Sequence, residues 1–284
     1  MKLIYKLPQY LAVIVACVTI GIILSDIKAA KSANFFELIE AGNNIKESSP
    51  AILGIDVYWI LMIIGLIITI IVAYLRREIY GINSLASFMI AVVFFLQAFL
   101  GAKLLCGIEM VITDRSFDSF DMSGQSLYGT IFISFLFIPI LSKILKMDTW
   151  ALYDYVAPFW AILLIFVRTG CYFHGCCGAD ACLISGVELI LPVQLFEVII
   201  DLIILQIVFN IENRNIGSSE NERKTGNSFF MMIALYGLFR FMLEFIRNNT
   251  IIWIGMTFGQ IYSVICIVIA ICAMMKEKKQ IENG

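Results

Sequence analysis

Apolar residues come in long runs along this chain, broken by short polar or glycine-bearing stretches. The runs lie at roughly 8–25, 56–75, 84–105, 127–146, 150–168, 187–209, 228–247 and 256–275. Each approaches the ~20 residues that a helix needs to cross ~30 Å of hydrocarbon. Hydrocarbon offers no water to satisfy backbone polar groups, so the expected elements are spanning helices. Gly217–Asn227, GSSENERKTGN, is polar and glycine-flanked and predicts a flexible connection. No internal repeat or separate soluble domain stands out. The expected organisation is a hydrophobic segment with its outer loop over 1–53, a membrane-embedded domain over 54–275 and a cytoplasmic tail over 276–284.

Composition strengthens this picture. Hydrophobic residues make up 61% of the chain and charged ones 15%, with mean hydropathy +0.91. A soluble domain is nearer half apolar and a quarter charged, so the chain reads as an integral membrane protein. A net charge of −2 and the lack of a basic tract argue against nucleic acid as a partner. Lys2 and Lys6 precede the first run and AAKSA follows it, a layout that also suits a signal peptide. The unbroken stretch Leu11–Leu24 favours a retained span. Lys2 and Lys6, Arg76 and Arg77, Lys143 and Lys146, Arg214 with Arg223 and Lys224, and Lys276 with Lys278 and Lys279 fall on alternate connections. The positive-inside rule then places both termini in the cytoplasm and Arg168–Glu188 outside.

Arg168 to Gly178 reads RTGCYFHGCCG and follows an apolar run. It holds three glycines, three cysteines and the only histidine, and it predicts a turn or re-entrant loop. Charges inside spans are expensive, about 2.5–3.5 kcal/mol at a helix centre on insertion scales, and they mark function or pairing. In FFMMIALYGLFRFMLEFIR, residues Tyr236, Arg240, Glu244 and Arg247 follow i, i+4, i+8 and i+11, one helical stripe in which Arg240 and Glu244 can pair. A purely structural ion pair is the plainer reading of that stripe. In LPVQLFEVIID, Gln194, Glu197 and Asp201 share a face and can serve an arginine on another helix. The third run ends Gly101-Ala102-Lys103, and the fourth begins SGQSLYGT, where Gly129 permits close packing and Tyr128 sits near the outer face.

Asp154 lies about 21 Å along the helix axis from Arg168, too far for a direct pair, and reads as a helix-start charge or interhelical link. Arg168, Arg240, Arg247 and Lys103 thus approach the outer half, with Glu197 and Glu244 between them. Guanidinium forks bind phosphate oxygens two at a time. The residues point to a membrane enzyme, transporter or lipid-binding protein that handles an anionic amphiphile.

Five segments, in order from about Gly54 to Met275, resemble successive elements of the prolipoprotein diacylglyceryl transferases. They are IDVYWILMIIGLIITIIVAYLRR, YDYVAPFWAILLIFVRTGCYFHG, LPVQLFE, YGLFRFMLEFIR and GMTFGQIYS. The resemblance implies an all-α, multi-pass, seven-helix core in the plasma membrane, with the first run as one extra N-terminal hydrophobic helix or a signal. It implies transfer of the diacylglyceryl group from phosphatidylglycerol to the lipobox cysteine of a prolipoprotein among membrane lipids, with no cofactor, and it gives no reason to require more than a monomer. Arg168, Arg240 and Arg247 match family arginines, and Glu197 and Glu244 match family glutamates. The implied catalytic set is Arg168, Arg240, Glu244 and Tyr128. The implied substrate-binding set is Arg247, Gln194, Glu197, Lys103 and Gly129.

The departures from the family pattern fall on Tyr128 and Leu191, which stand where the family has histidines, and on Gly101-Ala102-Lys103, which stands for Gly-Gly-Arg. Cys171 and Cys176 replace an asparagine and an acidic residue. The base that generates the thiolate therefore stays open. Tyrosine keeps its proton at neutral pH, and His174 is a substitute of the right chemistry. Cys171, Cys176, Cys177 and Cys182 can staple the loop, lie buried as thiols, or take part in chemistry with His174. Their spacing matches no standard zinc finger, so no metal is expected. The competing functions are a membrane thiol oxidoreductase and a non-catalytic phospholipid-binding or transport protein.

Overall fold

The computed structural model describes residues 6–15, 51–52, 55–120, 124–174, 181–184, 187–190, 193–217, 226–247, 251–253 and 255–283. Among the described residues, seven long helices carry the fold: α1 (Val57–Arg76), α2 (Ser84–Asp114), α3 (Leu127–Leu145), α4 (Thr149–His174), α5 (Val193–Gly217), α6 (Asn227–Leu243) and α7 (Phe258–Asn283). All seven are long and apolar enough to cross a membrane. Residues 7–15 are helical as well, and Leu11 and Val15 are buried in the main core. Helix starts follow capping chemistry. The Asp56 carboxylate accepts from the Tyr58 amide at 2.7 Å and opens α1, and the Asn83 side chain accepts from the Ala86 amide at 2.8 Å and opens α2.

The core is organised on α4. Every residue from Leu152 to Phe173 is buried, and α1, α5, α6 and α3 surround the helix. A helix that is apolar all round belongs at the centre of a bundle. The other helices turn one apolar stripe outward at i, i+4, i+8 spacing: Ile63, Ile67 and Ile71 on α1, Leu96, Leu100 and Leu104 on α2, and Leu136, Ile140 and Ile144 on α3. Thr69 on α1, Gln97 on α2 and Ser134 on α3 are buried instead. This is the arrangement expected where the surrounding solvent is hydrocarbon.

Three expectations from the sequence need correction. Arg168 does not end a helix: α4 continues to His174, so Arg168–His174 is helical and not a turn. Gly170 serves close packing there, since a Cβ would come within 2.8 Å of the Tyr58 ring. The Thr169 hydroxyl donates back to the Ile165 carbonyl at 2.7 Å. Second, α2 runs to Asp114, nine residues past the expected end, and its 31 residues extend about 46 Å. Third, short antiparallel hairpins adjoin the helices: β1 (Ala51–Ile52) with β2 (Ile55–Asp56), β3 (Ala181–Ile184) with β4 (Val187–Ile190), and β5 (Ile251–Trp253) with β6 (Met256–Thr257). Val187–Ile190 was expected within the sixth span. A short apolar run beside a helix carries no periodicity that separates strand from helix.

Candidate active site

The ends of six helices on one side of the bundle enclose a cavity of about 810 Å³. That is the size range of small-ligand sites, roughly 300–1,000 Å³. Tyr58 and Trp59 enter from α1, Lys103, Cys106 and Glu109 from α2, and Tyr128 from α3. Arg168, Cys171 and His174 enter from α4, and Arg240, Glu244 and Arg247 from the end of α6. Thr257, Gly259 and Tyr262 complete the wall at the start of α7.

Glu197 of α5 ties the arginines together from behind that wall. One carboxylate oxygen meets Arg240 at 2.5 Å and Arg247 at 2.9 Å, and the other meets Arg168. Glu244 adds a second anchor, with Arg240 at 3.1 Å, Arg247 Nε at 3.9 Å and the Thr257 hydroxyl donating at 3.0 Å. Thr257 is held in turn by Gln260, whose side-chain oxygen accepts from the Thr257 amide at 3.1 Å. All three guanidiniums are at most 9% exposed, yet each reaches the cavity wall. Buried charges of this kind are tolerable only when paired and hydrogen-bonded. Three guanidiniums thus share two directly paired carboxylates, Glu197 and Glu244, at the cavity wall.

The stripe expected on α6 is realised with a change of geometry. Regular helix stops at Leu243, Glu244–Ile246 form a 3-10 turn, and Arg247 is extended at φ −94°, ψ 145°. The turn swings Arg247 back onto Glu197. Tyr128 is buried and shares a 2.6 Å hydrogen bond with the Ser263 hydroxyl, packed among Tyr236 and Tyr262. Lys103 lines the cavity with its ammonium over the Phe99 ring at 5.6 Å.

Gln194 is buried and lies off the cavity wall. Gly129 also lies off the wall, where α2 and α3 cross, and a Cβ there would strike the Gly101 carbonyl. Asp201 is buried beneath the cluster and feels Glu197, Arg168 and Arg240. Cys176 and Cys177 lie outside the described residues, as do Leu191 and the side chain of Cys182.

Several cavity residues carried no signal that sequence reasoning used. Glu109 accepts from Ser126 at 2.7 Å and from Tyr262. It sits on the part of α2 beyond the expected end of that run near 105. Gln125 accepts from the Tyr58 hydroxyl at 3.0 Å. At the rim, His174 Nδ1 lies 2.9 Å from an Asp56 carboxylate oxygen. The pair is separated by 118 residues, and only the fold joins it.

A second polar cluster lies at the opposite end of the bundle. Arg76 is fully buried and meets Glu212 through Nε at 3.0 and 3.1 Å and through a terminal nitrogen at 2.5 Å. It also donates to the Tyr155 and Asp154 carbonyls at 2.6 and 3.1 Å. The Asp154 carboxylate accepts from the amides of Gly226, Ser228 and Phe229 at 2.7, 2.9 and 3.3 Å. Asp154 is thus an interhelical link, capping α6 from α4.

The family model described as prolipoprotein diacylglyceryl transferase matches residues 50–276. The phosphatidylglycerol–prolipoprotein diacylglyceryl transferase 2 of Clostridium perfringens is 29% identical over 217 residues, covering 70% of this chain and 82% of the relative. The corresponding transferase of Clostridium tetani is 25% identical over 207 residues, covering 68% and 80%. That of Tropheryma whipplei is 29% identical over 140 residues, covering 44% and 51%.

Proposed function

This chain belongs to the prolipoprotein diacylglyceryl transferase family, and from that premise we propose that it moves the diacylglyceryl group of phosphatidylglycerol to the lipobox cysteine thiol of a prolipoprotein. The observation that carries the proposal is the triad of buried arginines, Arg168, Arg240 and Arg247, held by Glu197 and Glu244 on the wall of one cavity. Guanidiniums fixed before the substrate arrives need little reorganisation when charge develops on a leaving phosphate. The phosphate of the lipid binds to them, and its acyl chains extend toward the apolar exterior of the bundle. The thiolate of the acceptor attacks the glycerol carbon. The carbon–sulfur bond forms as the carbon–oxygen bond to phosphate breaks, and glycerol phosphate leaves with the electron pair. In this reading the cavity opens at the outer face of the plasma membrane, with the termini in the cytoplasm.

The test is transfer of labelled phosphatidylglycerol to a lipobox peptide in membranes lacking their own transferase. We expect label on the peptide, and a loss on the order of 10²-fold or more with Arg168→Ala. A folded, inserted parent that leaves the peptide unlabelled would turn attention to thiol chemistry near Cys171. Retained label in Arg168→Ala would remove the arginine from the mechanism.

A further inference from the structure

The proposed transfer needs a group to take the thiol proton, because the thiol itself attacks poorly. Three carboxylates at the site are committed. Glu197 and Glu244 are held by guanidiniums, and Glu109 already accepts from Ser126 and Tyr262. The Tyr128 hydroxyl is tied to Ser263. His174 differs from these. It is half exposed, it lines the cavity at the end of α4, and its Nδ1 faces Asp56 at 2.9 Å. The other Asp56 oxygen is fixed by the Tyr58 amide at 2.7 Å, so the carboxylate is held in place by the start of α1. A carboxylate at Nδ1 keeps the ring proton on that nitrogen and leaves the Nε2 lone pair outward.

We propose that His174 is the general base that takes the acceptor's thiol proton, and that Asp56 is the positioning residue that sets its tautomer. The inference rests on the lipid-to-thiol reading above. Nε2 takes the S–H proton and leaves a thiolate. Asp56 compensates the imidazolium that forms. The thiolate forms the carbon–sulfur bond, glycerol phosphate departs, and the imidazolium returns its proton to water. His174 and Arg168 are six residues apart on α4, about 9 Å along the axis. The base therefore stands at the cavity rim, toward the end of α4, and the phosphate site lies deeper.

The experiment compares the parent, His174→Asn, Asp56→Asn and Asp56→Glu in phosphatidylglycerol vesicles. Each is given a lipobox peptide carrying either cysteine or selenocysteine. A selenol is already ionised at neutral pH and needs no base. With the cysteine peptide, His174→Asn is expected to lower kcat on the order of 10²-fold. With the selenocysteine peptide it should run close to the parent. Asp56→Asn keeps an oxygen to cap α1 while removing the charge. It should lower kcat for cysteine with KM unchanged, and Asp56→Glu should recover part of the loss. Parent-like transfer to cysteine by His174→Asn would overturn the proposal, as would an equal loss with both peptides. A parent that labels neither peptide would sink the lipid-to-thiol reading, and the dyad with it.

Discussion

Glu197 is one carboxylate against three guanidiniums. Its partnership with an arginine was legible in LPVQLFE, because a glutamate one turn inside an apolar run needs a cation. That it serves Arg168, Arg240 and Arg247 together was not legible, since the three come from two helices and a turn whose approach is set by packing. Removing one member of a buried ion pair leaves the others uncompensated, which costs about 3–5 kcal/mol. Glu197→Ala should therefore unfold markedly earlier in detergent and should lose transfer. Glu197→Gln keeps the shape and one acceptor oxygen while releasing the charge. It is expected to fold but to hold phosphatidylglycerol phosphate with the guanidiniums misaligned, lowering kcat on the order of tenfold or more. Parent-like kcat in a folded Glu197→Gln would show that the arginines hold their places without it.

Helix ends were the least legible elements. Arg168 at the close of an apolar run looked like a membrane boundary, because the sequence did not reveal that Glu197 would meet it inside the bundle. The crossing of α2 and α3 was legible only as small residues. Gly101 and Gly129 let the two backbones touch, and a Cβ at Gly101 would lie 2.5 Å from the Gly129 carbonyl oxygen. The obstacle is backbone on backbone, so no rotamer relieves it. Lys103 and Tyr128 flank the crossing and both line the cavity. Gly129→Ala should push α2 from α3, lower thermal stability by about 1–3 kcal/mol and impair transfer together. A variant with unchanged melting would show that this crossing has slack.

At the scale of the whole molecule, the buried ion-pair clusters among the described residues lie at two ends of a bundle whose sides are apolar. The positive-inside reading counted Arg76 as an interfacial charge, but the side chain is buried against Glu212, Tyr155 and Asp154. Its position near one membrane face was legible; its partner was not, because Glu212 lies 136 residues away. Tyr155, which accepts from Arg76, precedes Arg168 by thirteen residues on α4, about 20 Å along the axis. Stability and chemistry are thus separable. Arg76→Met or Glu212→Leu alone strands a buried charge and should cost about 3–5 kcal/mol, seen as reduced membrane abundance and earlier unfolding. The double variant removes both charges and should regain much of that stability, and a double-mutant cycle measures the coupling. Transfer per folded molecule should stay near the parent in all three. A double variant that is stable but slow would mean that the two ends communicate through α4, and that the buried centre of the bundle transmits strain to the arginines.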